Sequence, residues 1–379
     1  MGGKEWEYMR ECIDTNMVSS VGPFVGRFEH DLARRLGIAH AVATVTGTAA
    51  IHTALVVAGV GAGDEVVVST LTFIAPVNAV RYIGAIPVLA DAEPEYWEMD
   101  PNWVVDFLDN SCVWRNGSLY NRVTGRRIAA VMPVHILGHP VSISAIVEAA
   151  RRYQIPVIED ATESLGAEYN QQPVGTFGDM ACFSFNGNKL ITTGGGGMIV
   201  TNDAAMAERA KYLTTQAKDD ALEFIHGTVG FNYRLTNVAA AMGCAQLEVV
   251  DDYIARKRRI AARYREAFAP IPGLRFMREA PSARSVWWLS TILVDKQVYG
   301  RDSRALLRIC AAAGISTRPL WQPAHRSPAL ADLPLQVCPV ADALNADALS
   351  LPSSVGLSED EQERVIAAIA GAAADSGTV

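Results

Sequence analysis

The sequence predicts an α/β fold: a mostly parallel, seven-stranded sheet wrapped by helices, followed by a smaller α+β domain. Three observations carry this reading. Short apolar runs alternate with helical stretches through the first two-thirds of the chain, the rhythm of parallel strands joined by crossover helices. Several of those runs are rich in Val and Ile without polar alternation, as strands buried on both faces require. The 379 residues, 50% of them hydrophobic, exceed what one core usually serves, so two domains are expected, 1–250 and 251–379.

In chain order the expected strands are AVATV (41–45), EVVVS (65–69), IPVLA (86–90), IAAVMPV (128–134), IPVIED (155–160), ACFSF (181–185) and GMIVT (197–201). Helical spacing falls between them at 48–59, 75–84 and 143–154. The segment 108–127 interrupts the rhythm with Asn-Gly and Thr-Gly pairs and reads as an inserted hairpin. One long Arg-rich amphipathic helix is expected over 247–268, leading out of the large domain. Beyond it, SVWWLSTILVD (285–295) reads as a strand and RDSRALLRICAAAG (301–314) as a helix. SEDEQERVIAAIAGAAA (358–374) reads as a closing helix, with Ser358 and Glu361 as a capping box and a frayed DSGTV tail after it.

A net charge of −8 with a pI near 5.5 argues against a general nucleic-acid or anionic-membrane surface. The six cysteines are scattered without a CxxC pair or metal-ligand spacing, which reads as reduced thiols in a cytoplasmic protein and no metal. MGGKEWEYMRECID (1–14) lacks the apolar run of a signal peptide, and no stretch approaches the ~20 apolar residues of a membrane span.

Only six of the 33 basic residues are lysine, so charge alone is written as arginine. One lysine nevertheless stands in FSFNGNKLITTGGGGM (183–198), between an Asn-Gly-Asn turn and four glycines. Unlike Arg, Lys can lose its proton and act as a base or a Schiff-base nucleophile. Open parallel sheets bind ligands at the carboxyl ends of their strands. There the sequence places Thr46-Gly47-Thr48-Ala49 before a helix, suited to a phosphate or to a plain N-cap. Glu159-Asp160 ends another strand, where a carboxylate can hold a proton on a ring nitrogen or simply cap a loop. Ser184 precedes Lys189 by five residues, and Phe73 follows the strand 65–69. Phosphate cradle, carboxylate, aromatic plate and Schiff-base lysine are together the parts that hold pyridoxal 5′-phosphate.

With those residues in place, the chain resembles the sugar aminotransferase family of the aspartate-aminotransferase fold (fold type I), which acts on nucleotide-linked keto-sugars. TGTAAIHTAL (46–55) is similar to its phosphate segment, IEDATESLGA (158–167) to its ring-nitrogen motif and FSFNGNKLITTGGGGM to its lysine motif. WEYMRECIDTNMVSSVGPFVGRFEHDLA (6–33) resembles an N-terminal substrate arm, GFNYRLTNVAAAMG (230–243) a dimer-contact motif and TRPLWQP (317–323) a substrate loop. The resemblance implies that Lys189 carries the cofactor as an internal aldimine and that Asp160 pairs with the ring nitrogen. It implies further that Phe73 covers one ring face with Thr162 on the other, that Glu163 stands next to the ring hydroxyl, that Thr48, Ala49 and Ser184 bind the phosphate, and that Asn232 reaches the neighbouring subunit's phosphate in a homodimer.

SFNGNK, NRVTGRRIAAVMPVHILGHP (121–140) and Glu163 resemble the bacillosamine and legionaminic-acid type enzymes. These take UDP-2-acetamido-2,6-dideoxy-4-keto-hexoses and L-glutamate, through pyridoxamine phosphate. Glu163 departs from the Gln of most relatives, and a carboxylate facing a ring phenolate would repel it unless one of the two is protonated. Gly195 departs from a common Glu and leaves room for substrate. His135, Trp321 and His325 are candidate substrate contacts, with core packing the alternative for His135 and His139. A dTDP- or GDP-linked sugar, or a keto-cyclitol with glutamine as donor, is the alternative substrate. A sugar dehydratase of this scaffold would carry histidine in place of Lys189, and a regulator would need a DNA-binding module, which nothing in the sequence resembles.

Overall fold

The computed structural model describes residues 1–373 apart from 221 and 335. The last residue of the expected closing helix, 374, and the DSGTV tail lie outside the described residues.

Seven strands line up in the order His40–Thr44 (β1), Gly197–Thr201 (β9), Met180–Ser184 (β8), Ile158–Asp160 (β7), Ile128–Met132 (β6), Glu65–Ser69 (β2) and Ile86–Ala90 (β3). β9 runs antiparallel to both neighbours and every other pairing is parallel. The two ladders β1-β9-β8-β7 and β6-β2-β3 are joined by parallel bridges at Val131–Val157 and Val134–Asp160. Alternation along each strand explains why the runs are apolar throughout. Ala181 and Phe183 of β8 enter one core with Phe28 and Ala240, whereas Met180 and Cys182 enter the opposite one with Ile51 and Leu55.

Helices Gly47–Val57 (α3), Ala75–Tyr82 (α4) and Ile143–Arg152 (α6) follow the expected stretches, shorter by a turn or less, and Pro101–Asn110 (α5) and Ala204–Thr214 (α7) add to them. The inserted hairpin pairs Cys112–Arg115 (β4) with Ser118–Asn121 (β5). Asn116 and Gly117 supply φ of +51° and +75°, the tight turn that two-residue hairpins favour. At the N-terminus, Glu5–Asp14 (α1) and Pro23–Leu36 (α2) pack on Asn237–Glu248 (α8). Buried Asn237 ties them down, accepting from the Phe24 N–H at 2.9 Å and donating to the Met17 carbonyl at 2.7 Å.

Two expectations need correction. The single helix over 247–268 is divided: α8 ends at Glu248, Val249 leaves helical geometry (φ −113°, ψ 8°), and Val250–Phe268 (α9) starts afresh. Helical periodicity survives a one-residue break, so the sequence pattern does not register it. The strand at 285–295 is confined to Ser290–Val294, because Trp287 adopts φ +51° and the chain from Val286 to Leu289 bonds to the turn at 137–138 instead.

The C-terminal region forms an antiparallel sheet in the order Leu274–Phe276, Ser290–Val294, Ala348–Leu351, Arg318–Pro319. α9, Ser303–Ala312 and Glu359–Ala370 share its core, which also takes in Leu71, Trp97 and Leu137. Ser358 and Glu361 form the expected capping box. All six cysteines are free and buried. Among the described residues, no helix is long and apolar enough to cross a membrane.

Candidate active site

The carboxyl edge of the sheet opens into a cleft of about 260 Å³. One wall is the start of α3. Thr46 is extended (φ −154°, ψ 160°) and its Oγ1 accepts the Ala49 N–H at 3.0 Å, which caps the helix. Gly47 and Thr48 follow and line the cleft. A Cβ on Gly47 would stand 2.7 Å from Ser184 Cβ and 3.3 Å from Thr162 Cγ2. The space between helix start, Ser184 and Thr162 therefore exists only because position 47 has no side chain. Helix-start N–H groups, the positive end of the helix dipole and two hydroxyls suit that space to a phosphate. Ala49 does not line the cleft, and its N–H is already taken by the cap.

Lys189 sits on the loop between β8 and β9. Ser184 and Gly197 face each other across that ladder, and the Phe185 N–H donates to the Gly196 carbonyl at 2.8 Å. Asn186 accepts the Lys189 N–H at 3.0 Å and donates through its side chain to Asn188 Oδ1 at 3.0 Å, shaping the turn. Lys189 Nζ then lies 3.5 Å from Glu163 Oε1 and 4.1 Å from the centre of the Trp288 ring. The Trp288 indole N–H donates to the Asn188 carbonyl at 2.7 Å.

Two buried carboxyls complete the chemistry. Asp160, at the end of β7, accepts the Thr162 N–H at 3.1 Å. Burial pushes its pKa up, against the pull of Thr162 and Lys189. Glu163 accepts the Leu137 N–H through Oε2 at 2.8 Å. Burial pushes it up to about 7, opposed by Lys189 and the Leu137 N–H and reinforced by Asp160.

Aromatic rings close the remaining side. Phe73 is half exposed and meets Trp321 edge-on at 6.5 Å, and Trp321 stacks on Trp288 at 6.0 Å and 15°. Trp288 was missed by sequence reasoning, since a tryptophan in a strand reads as core. No local signal could have found it, because the Trp287-Trp288 doublet lies outside the strand and Trp287 adopts φ +51°, which sets the two rings apart. Trp287 does join the C-terminal core.

Lys189, Asp160, Thr48, Phe73, Thr162, Glu163, Ser184 and Trp321 are thus brought together, whereas other candidates are not. His135 is fully buried, with Nε2 2.9 Å from Glu159 Oε2 and Nδ1 accepting the Val141 N–H at 3.0 Å, so both ring nitrogens are spent in the core. His139 is likewise buried, and burial lowers its pKa to about 4. His325 is held by Thr70 at 2.8 Å and Asp342 at 3.1 Å, away from the cleft. Asn232 is exposed and outside the cleft of its own chain. Among the described residues no His/Cys/Asp/Glu group could hold a metal ion.

A family model described as the DegT/DnrJ/EryC1/StrS aminotransferase family matches residues 1–370. The chain is 39% identical over 371 residues to the GDP-perosamine synthase of Caulobacter vibrioides, covering 97% of this chain and 95% of that one. It is 37% identical over 359 residues to the GDP-perosamine synthase of Escherichia coli O157:H7, covering 95% and 93%. Among solved structures it is similar to S. venezuelae DesV in complex with a ketimine intermediate, with a TM-score of 0.88 at 30% identity, covering 99% and 95%.

Proposed function

Because the chain belongs to the DegT/DnrJ/EryC1/StrS aminotransferase family, we propose that it moves an amino group from L-glutamate to the C4 carbonyl of a nucleotide-linked 4-keto-6-deoxy sugar, with GDP as the nucleotide. It is a sugar aminotransferase that uses pyridoxal 5′-phosphate. The observation that carries the reading is the convergence of Lys189, Asp160, Glu163 and the Gly47 notch on one cleft. GDP is chosen because two of the curated relatives matched nearly end to end are GDP-perosamine synthases. A UDP-2-acetamido-2,6-dideoxy-4-keto-hexose is the second reading, favoured by SFNGNK and by Glu163.

The cleft fits the cofactor. The notch that a Cβ at Gly47 would fill, flanked by Thr48 and Ser184, would hold its phosphate. Buried Asp160 would hold a proton on its ring nitrogen, and that positive partner would offset the cost of ionising a desolvated carboxyl. Phe73 and Thr162 would flank the ring. When bound, the cofactor supplies an aldehyde that takes up the amino group and a protonated ring that draws electrons from the bond being broken. Lys189 would be the residue that holds the aldehyde, and its free amine would move the proton at the donor's α-carbon and on the sugar side. Glu163 is within reach of that amine and, near neutrality, exists in both protonation forms, so it can take up or lend the proton without a charged partner from water. The aromatic wall of Phe73, Trp321 and Trp288 keeps bulk water from that side. A homodimer with shared sites is part of the proposal, supported by exposed Asn232 in the 230–243 motif and by exposed Trp6, Phe224 and Val229.

The test pairs the purified protein with L-glutamate and GDP-, UDP- and dTDP-linked 4-keto sugars, reading products by mass. Amination of the GDP sugar at the highest kcat/KM is expected, and preference for another nucleotide refutes that choice. Borohydride reduction should fix the cofactor on Lys189 and leave Lys189→Ala unlabelled. Labelling elsewhere, or none, refutes the site.

A further inference from the structure

The groups around the Lys189 amine are themselves held by residues that the reaction does not use. Glu163 is fixed by the N–H of Leu137, and Leu137 and Gly138 adopt φ of +56° and +87°. The same turn holds the segment that carries Trp288. The Val286 N–H donates to the Gly138 carbonyl at 3.0 Å, the Ser285 hydroxyl to the same carbonyl at 2.9 Å, and the Leu289 N–H to the Leu137 carbonyl at 3.4 Å. The fit is close, since a Cβ at Gly138 would stand 2.7 Å from the Trp288 nitrogen. From the other side Lys257, on α9, donates to the Trp288 carbonyl at 2.6 Å and to the Ser353 carbonyl. Lys257 is 5% exposed, and among the described residues no carboxylate pairs with it. Burial lowers its pKa to about 7. A buried amine with no anionic partner is costly unless its donors are used, and here both partners are main-chain oxygens at the joint where Trp288 is mounted.

Lys189 borders two spaces. One is the cleft, and the other is a recess of about 720 Å³ behind it, lined also by Lys257, Ser353 and Arg318. Trp288 belongs to the lining of both. The four-carbon stem of a lysine can swing between such spaces, and the Trp288 ring and the Glu163 carboxyl hold Nζ on the cleft side.

We propose that the turn Ile136–Gly138 and Lys257 together build a berth for the Lys189 amine, between the Glu163 carboxyl and the Trp288 ring, where the amine waits whenever it is not bonded to the cofactor. Lys257 is its remote positioning residue and acts through Trp288. The inference rests on Lys189 being the cofactor-bonding lysine. The berth raises the effective concentration of the amine at the aldehyde, because the recess no longer competes for it.

The experiment mixes the full-length chain, stripped of cofactor, with pyridoxal 5′-phosphate and follows the rate at which the yellow lysine-bound form grows in. Trp288→Leu should slow capture about tenfold, and Trp288→Phe, which keeps a ring face, should stay within about twofold of the parent. Lys257→Met should slow it about fivefold, and the double variant Lys257→Met/Trp288→Leu should be no slower than Trp288→Leu alone, since both act on one path. If Lys257→Met does not fold, Lys257→Gln, which keeps a donor for one carbonyl, replaces it. Rates for Trp288→Leu equal to the parent, or effects of the two substitutions that multiply, overturn the berth. A borohydride adduct on Lys189 in the same samples keeps that failure separate from failure of the site itself.

Discussion

Replacing Glu163 by Gln keeps shape and removes an ionisation, so it isolates what the buried carboxyl costs the fold. Its pKa is raised from the ordinary 4.5 to about 7, with burial as the first cause. The difference is about 2.5 pH units, which at 1.36 kcal/mol per unit makes the ionised carboxyl cost about 3 kcal/mol in the folded protein. The sign follows from the direction. With a folded-state pKa above the unfolded one, the stability is fully present below pH 4.5 and is lost as pH rises through 7. Linkage between those two values puts the loss at about 1 kcal/mol at pH 5 and about 3 kcal/mol at pH 8.5. An amide cannot ionise and escapes the loss, so the advantage of the Glu163→Gln variant over the parent should grow by about 2 kcal/mol between pH 5 and pH 8.5. Urea unfolding of the cofactor-free proteins at the two pH values measures it. A gap between variant and parent that does not change with pH would refute the assignment of a desolvated, titrating carboxyl next to Lys189.

Asp160→Ala should retain cofactor, held by its phosphate, yet lower kcat by about 10² or more, as steady-state assays with absorbance of bound cofactor will show. Gly47→Ala closes the notch against Ser184, and cofactor affinity by spectral titration should fall at least about tenfold, beyond a loss of about 1–3 kcal/mol in urea unfolding of the cofactor-free protein. Gly243→Ala meets the Phe28 ring at 2.8 Å and should cost about 1–3 kcal/mol in urea unfolding, without altering the absorbance of bound cofactor.

The sheet was legible because its strands are buried on both faces and so carry unbroken apolar runs, as in Val66-Val67-Val68, where alternate residues enter opposite cores. The cleft residues were legible where a side-chain type is chemically odd for its place: a lysine in an arginine-writing chain, a carboxylate pair ending an apolar strand. Positions whose meaning depends on contacts distant in sequence were not. Ala49 reads as part of a phosphate loop until Thr46 is seen to occupy its N–H. His135 reads as a strand-end ligand until Glu159 and Val141 are seen on its two nitrogens. Trp288 and Lys257 act on Lys189 from 99 and 68 residues away, through a backbone joint whose positive φ at Trp287 nothing in the local sequence announces.

The ladder that seats Ser184 opposite Gly197 closes the lysine-bearing segment on itself. Amides from Phe185 to Gly196 should consequently exchange with deuterium as one cooperative block, opening and shutting together. A thermal excursion that frees Lys189 therefore also loosens Ser184, and a cofactor held at both residues, as proposed, would suppress the excursion that releases it.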